Sequence, residues 1–144
     1  GDRLGRVGRV AVDQRQVVEP DQLRLEVVVR KVERLVEQEV GPMADASFTP
    51  VFMRNATAYG ASPRQRFDVV LNNLCGFAHT IGEIRMTSDG SPWRPITHIE
   101  DICEAMLCAL KAPREAVAGE AFNVGADSEN YRIRELAQIV RETV

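Results

Sequence analysis

Residues 91–101, SPWRPITHIED, place the chain's only Trp beside an arginine, a histidine and two carboxylates. Arg94 follows the Asp89-Gly90 turn signal closely, and an arginine so placed can present a two-pronged fork to a phosphate. It could equally pair with a nearby carboxylate, and spacing alone leaves both open. His98 beside Glu100 and Asp101 has the groups of a general base, yet a histidine there also suits a helix start, where it satisfies a backbone group. His79 and His98 are the only histidines. Neither has a ligand spacing such as HExxH, so no metal centre is expected.

The stretch GDRLGRVG is glycine-rich, but Gly1, Gly5 and Gly8 do not make GxGxxG. A phosphate loop also needs a buried strand before the glycines and a helix after them. A dinucleotide site is therefore not expected there. Cys75, Cys103 and Cys108 lack CxxC spacing and read as reduced, mostly buried thiols of a cytoplasmic protein.

The elements that must position these residues follow from periodicity. Within residues 1–20, RVAVD could form a short strand, and from Asp21 to Val40 apolar residues fall at helical spacing until Gly41-Pro42 stops them. TPVFMRN (49–55) is a compact apolar run, the pattern of a strand buried on both faces. FDVVLNNLCGFAHT (67–80) reads as a helix, and two extended runs follow around Asp89-Gly90. EDICEAMLCALKA (100–112) is an amphipathic helix closed by Pro113, with Thr97/Glu100 as a capping box or His98/Asp101 as an alternative cap. EAFNVG is a short strand, and IRELAQIVRETV is the last helix. Strands alternate with helices, so the class is α/β.

The 144 residues are enough for one domain with a core, and 44% hydrophobic with 27% charged residues is ordinary globular composition. A net charge of −3 offers no field for gathering nucleic acid or anionic membrane. No apolar run approaches the roughly 20 residues of a membrane-spanning helix. The first residue is Gly1 rather than Met, and Lys31 and Lys111 are the only lysines.

PVFMRNATAYGASP, FDVVLNNL, SDGSPWRPITHIEDICEAML and GEAFNVG with SENYRIRELAQIV occur in that order. Together they resemble the C-terminal half of the NAD-dependent epimerase/dehydratase family, the extended short-chain dehydrogenases/reductases that act on nucleotide sugars. The resemblance runs from about Lys31 to Val144. It implies part of a Rossmann-type sheet joined to a small C-terminal substrate-binding subdomain. In the intact family, a GxxGxxG loop holds NAD(P), and a Tyr and a Lys four apart on one helix perform the acid–base chemistry.

Carried over, the resemblance implies that Thr57, Asn73, Leu74 and Arg85 contact the nucleotide sugar, with Arg94 gripping its diphosphate. Ile84, Arg85 and Met86 would be a short strand along the base. The loop after Arg54 would flank the nicotinamide, HIED would fix a turn and helix start, and Tyr131 would lie at the pocket rim. Departures matter as much. No YxxxK exists, since Tyr59 and Tyr131 are followed four residues on by Pro63 and Glu135. Leu25 and Val29 stand where the Tyr and Lys are expected, and neither can exchange a proton.

Residues 1–30 are an atypical leader, unlike the family, as if a gene had been broken by deletion or frameshift or the chain had diverged or been trimmed. The expected protein is a truncated, catalytically inactive relative that retains no cofactor and at most binds a nucleoside-diphosphate sugar. The alternative is a non-catalytic self-association or partner-binding module. A complete dehydrogenase would need a second chain supplying the missing half. With sheet strands cut from their neighbours, either the leader adds a substitute strand or the chain forms a homo-oligomer.

Overall fold

The computed structural model of the chain describes the backbone of residues 9–12 and all of residues 32–144. Strand β1 (Arg9–Val12) and helix α1 (residues 32–40) come first. They are followed by β2 (Phe52–Asn55), β3 (Thr57–Tyr59), α2 (Val70–Ile81), β4 (Glu83–Met86) and β5 (Trp93–His98). α3 (Ile99–Lys111), the single turn α4 (Arg114–Val117), β6 (Ala121–Val124), β7 (Asn130–Arg132) and α5 (Ile133–Thr143) complete the chain. The expected α/β class is what these elements form.

The described strands make three small sheets. β1 pairs with β4 and β2 with β6, both in parallel, while β5 lies between parallel β3 and antiparallel β7. The runs on either side of Asp89-Gly90 are therefore strands, but they do not pair with each other. The strand expected within residues 1–20 is RVAV, and it lies on the edge of β4 rather than on the β2–β6 sheet. Among the described residues, β2 is paired on one edge only.

The main core joins α2, β4, β5 and α5. Leu74 and Ala78, one helical turn apart, meet Ile84 and Met86 of β4, Ile96 of β5, and Leu136, Ala137 and Val140 of α5. β4 alternates strictly: Ile84 and Met86 are buried while Glu83 and Arg85 face outward. Gly82 ends α2 in the left-handed conformation, returning its N–H to the Ala78 carbonyl. Pro113 stops α3, because the residue before a proline is driven to extended backbone, as Ala112 is.

The second packing unit sets α3 and α4 beside β2–β6, with Ile102 and Val117 buried. β2 is not buried on both faces as its composition suggests: Phe52 and Met53 are half-buried, and Arg54 and Asn55 are exposed. Arg54 instead meets Glu37 of α1 in a two-pronged ion pair at 2.6–2.7 Å, tying α1 to β2. Apolar residues remain uncovered on α1 (Val32, Leu35, Val36) and on α3 (Met106, Leu107 and Leu110, the last 82% exposed). The expectation of mostly buried thiols is corrected too. Cys75 is half-buried against the core, but Cys103 and Cys108 lie on exposed positions of α3.

One turn links core and sheet. The Gly90 carbonyl accepts the Arg134 N–H at 3.0 Å, and the Pro92 carbonyl accepts the Ile133 N–H at 3.0 Å. Two amides that the first turn of α5 would leave unpaired are thus satisfied by backbone. The approach requires glycine: φ at Gly90 is +76°, and a Cβ there would lie 2.7 Å from Arg134 Cβ. Asp89 holds the turn by accepting the Ser91 N–H at 3.0 Å and the Ser91 hydroxyl at 2.7 Å. Those bonds, with Arg134 nearby, keep its carboxyl below its ordinary value.

A depressed folded-state pKa stabilises above the unfolded value of about 3.9 and is lost as pH falls through the folded value. In urea unfolding across a pH series, Asp89→Ala should be less stable than wild type at pH 6. The gap should narrow only below about pH 4. A gap that persists unchanged at pH 2 would contradict this role.

Candidate nucleotide-sugar site

A cavity of about 530 Å³ opens where α2, β3, β4, β5 and α5 converge. Thr57 enters it from β3, Asn73 and Leu74 from α2, Arg85 from β4 and Arg94 from β5. These are the five residues the sequence offered for a sugar nucleotide, brought together from four elements. Asp68, Val69, Val70, Met86, Thr87 and Ile133 complete the wall.

The geometry favours an anion. α2 starts at the wall with an extended N-cap, Val69, and no side-chain cap. The amides of its first turn and the positive end of its dipole therefore lie at the cavity edge. Arg94 is half-buried at a register position opposite Tyr131, and Arg85 is more exposed. Arg85 contacts Glu83 at 3.2 Å, and its guanidinium lies 6.0 Å from the Phe77 ring centroid. The one carboxylate on the wall, Asp68, is paired with Arg66, which holds its carboxyl below the ordinary range. Its charge is thereby largely offset within the loop.

Several residues have different tasks from those expected. The Asn73 side chain donates to the Phe67 carbonyl at 3.0 Å, and Asn72 donates to the Arg66 carbonyl at 2.9 Å. The two amides staple the entering loop to α2. Ile84 is fully buried and reaches no ligand, so β4 contributes Arg85 and Met86 alone. Tyr131 packs against the core with its hydroxyl donating to Glu129 at 3.3 Å, away from the cavity wall. The Glu129 charge pushes that hydroxyl above its ordinary pKa.

HIED fixes a turn and a helix start. His98 is the N-cap of α3, its Nδ1 accepting the Glu100 N–H at 3.3 Å. Thr97, the other candidate cap, is a buried β5 residue. The His98 ring stands edge-on to Tyr59 at 5.2 Å, and a Cβ on Gly60 (φ +113°) would fall 2.6 Å from His98 Nε2. This contact seats the loop after β3, which with Ser62, Arg64 and Asn72 lines a second cavity of about 370 Å³. The two cavities share Thr57 and Val69.

Arg54 does not reach the main cavity. It borders a separate polar cleft with Asn55, Asn123 and Asp127 at the C-terminal ends of parallel β2 and β6, its guanidinium committed to Glu37. Leu25 and Val29 lie outside the described residues. Asp68, Val69, Val70, Thr87 and Ile133 were not among the sequence candidates. The only signal for the first three is their place at the start of the expected 67–80 helix, which in the structure begins at Val70; Thr87 and Ile133 carry none.

Residues 32–125 match the model of the NAD dependent epimerase/dehydratase family. Similar solved structures include the epimerase Mth375 from Methanothermobacter thermautotrophicus, at 28% identity over 74% of this chain and 32% of that one, with a TM-score of 0.61. UDP-glucuronic acid 4-epimerase from Bacillus cereus, solved with UDP-glucuronic acid and NAD, is 27% identical over 64% of this chain and 28% of that one, with a TM-score of 0.55. TunA, an NAD dependent NDP-hexosamine 5,6-dehydratase of tunicamycin biosynthesis, shares the fold at 23% identity over 75% and 34% of the two chains, with a TM-score of 0.62. The chain spans about a third of the length of these proteins. With the family model covering most of the chain and the fold agreeing, this protein belongs to the NAD dependent epimerase/dehydratase family.

Proposed function

We propose that the 530 Å³ cavity binds the diphosphate of a nucleoside-diphosphate sugar, with Arg94 as its principal clamp. The observation that carries this reading is the convergence of Arg94, Arg85 and the uncapped start of α2 on one cavity, beside Thr57 and Asn73. Two guanidinium groups and a helix N-terminus suit two linked phosphates. The adjoining 370 Å³ cavity leaves room for the rest of the ligand.

No catalytic step is assigned to these residues acting alone. Neither GxxGxxG nor YxxxK occurs in the sequence. The polar cleft at the ends of β2 and β6 has Arg54 bound to Glu37 and, among the described residues, no glycine-rich strand-to-helix crossing to cradle a pyrophosphate. The described residues do not fit NAD.

Isothermal calorimetry with UDP- and dTDP-sugars tests the clamp. Wild type should bind one of them, and Arg94→Ala should weaken binding about 10- to 100-fold, the loss of a charge-assisted hydrogen-bonded contact. Arg94→Lys, which keeps charge without the fork, should fall between. Absence of binding by wild type, or equal binding by Arg94→Ala, would remove the reading.

Self-association is a second reading, favoured by the uncovered Leu110, Met106 and Leu107 on α3 and by Leu35 and Val36 on α1. In sedimentation velocity over a dilution series, wild type should show a concentration-dependent dimer that Leu110→Glu shifts to monomer. A monomer at every concentration would exclude it.

A further inference from the structure

We propose that strand β1 is a working part of the ligand cavity: residues 9–12 complete its β4 wall, so that docking of this strand and occupation of the cavity are coupled. The inference rests on the nucleotide-sugar reading and extends it to a segment outside the family match, which covers residues 32–125.

β4 is only four residues long, and among the described residues its sole strand partner is β1. The register is parallel, Arg9 to Glu83, Val10 to Ile84, Ala11 to Arg85 and Val12 to Met86. Arg85 and Met86, two of the cavity-lining residues, are thus held in a strand whose ladder, among the described residues, is made by residues 9–12. Packing fixes one side of β4, since Ile84 and Met86 are buried against α2 and α5. It does not fix the outward residue Arg85, whose backbone direction is set by the pleat of a paired strand.

A strand without its ladder exposes backbone N–H and C=O groups to water and gains local freedom. Arg85 would then lose its fixed direction toward the cavity. By linkage, whatever holds Arg85 in place for a diphosphate must itself be held more firmly when the diphosphate is bound. β1 therefore acts as a strap along the cavity's outer wall.

The test uses the full chain and two proline substitutions, Val10→Pro and Ala11→Pro. Successive residues of a strand point their N–H groups to opposite edges, so one of the two removes a donor to β4. Hydrogen exchange and UDP calorimetry are read together. At least one variant should speed exchange of the 83–86 amides about tenfold or more and weaken UDP binding by a similar factor. The amides of Leu74 and Leu136 should stay protected, which separates this effect from unfolding. In wild type, saturating UDP should slow exchange at 10–12 as well as at 83–86, a measurement that needs no variant.

Unchanged exchange at 83–86 in both variants would overturn the strap. Faster exchange there with UDP affinity unaltered would overturn the coupling. A wild type that binds neither UDP nor dTDP, the probe being whichever of the two binds, would strike the nucleotide reading, and with it the coupling, while exchange at 83–86 still decides whether β1 builds the wall.

Discussion

The contact on which the rest of the molecule depends is the backbone docking of the 88–92 turn onto the start of α5. The carbonyls of Gly90 and Pro92 receive the first amides of that helix at 3.0 Å, at a separation only glycine permits. From there α5 carries Leu136, Ala137 and Val140 into the core, and β5 leaves in the other direction with Trp93 and Arg94. β4 enters the same turn with Ile84 and Met86 buried. Core and cavity wall are two consequences of one close approach.

The electrostatics follow from that frame. Arg94 and Arg85 reach the cavity from two different sheets, and α2 begins at the same space with no side-chain cap. Their combined effect on an anion depends on keeping Asp68 quiet, which Arg66 does. Asn72 and Asn73 hold that loop in place by donating to the carbonyls of residues 66 and 67. Near a partly enclosed wall such charge-assisted contacts weigh more than in open water. Trp93, at the other side of β5, takes no part in the cavity; its ring stacks with the Arg132 guanidinium at 5.0 Å.

Helices were the most legible part of the fold, because Leu74 and Ala78, or Leu136, Ala137 and Val140, repeat at 3.6 residues whatever their partners. Strand partners were not legible. β3 and β7 are three residues long, too short for a period, and the pairing of β4 with residues 9–12 joins positions more than seventy apart in sequence. Around Asp89-Gly90 the turn was readable, but not that β5 is claimed on both edges by β3 and β7. In the site, Arg94 was visible as an arginine beyond a turn. Asp68, Val69 and Val70 were not, since what they contribute is the start of a helix and a paired carboxylate, which side-chain chemistry does not announce. Asn73, which the resemblance offers as a ligand contact, lines the cavity while its amide donates to the Phe67 carbonyl, a bond that spacing does not announce. The exposure of Cys103 and Cys108 was hidden because a thiol's burial depends on which helix face finds a neighbour.

The central claim is that a diphosphate sits between Arg94 and the first turn of α2. Backbone amide NMR during titration with UDP and, separately, dTDP tests it at the atoms involved. The account predicts the largest shift changes at Val70, Leu71 and Asn72, accompanied by Arg94 and Arg85, with a weaker response in β6. Largest changes at Asn55, Asn123 and Asp127, or no saturable change at 70–72, would contradict it.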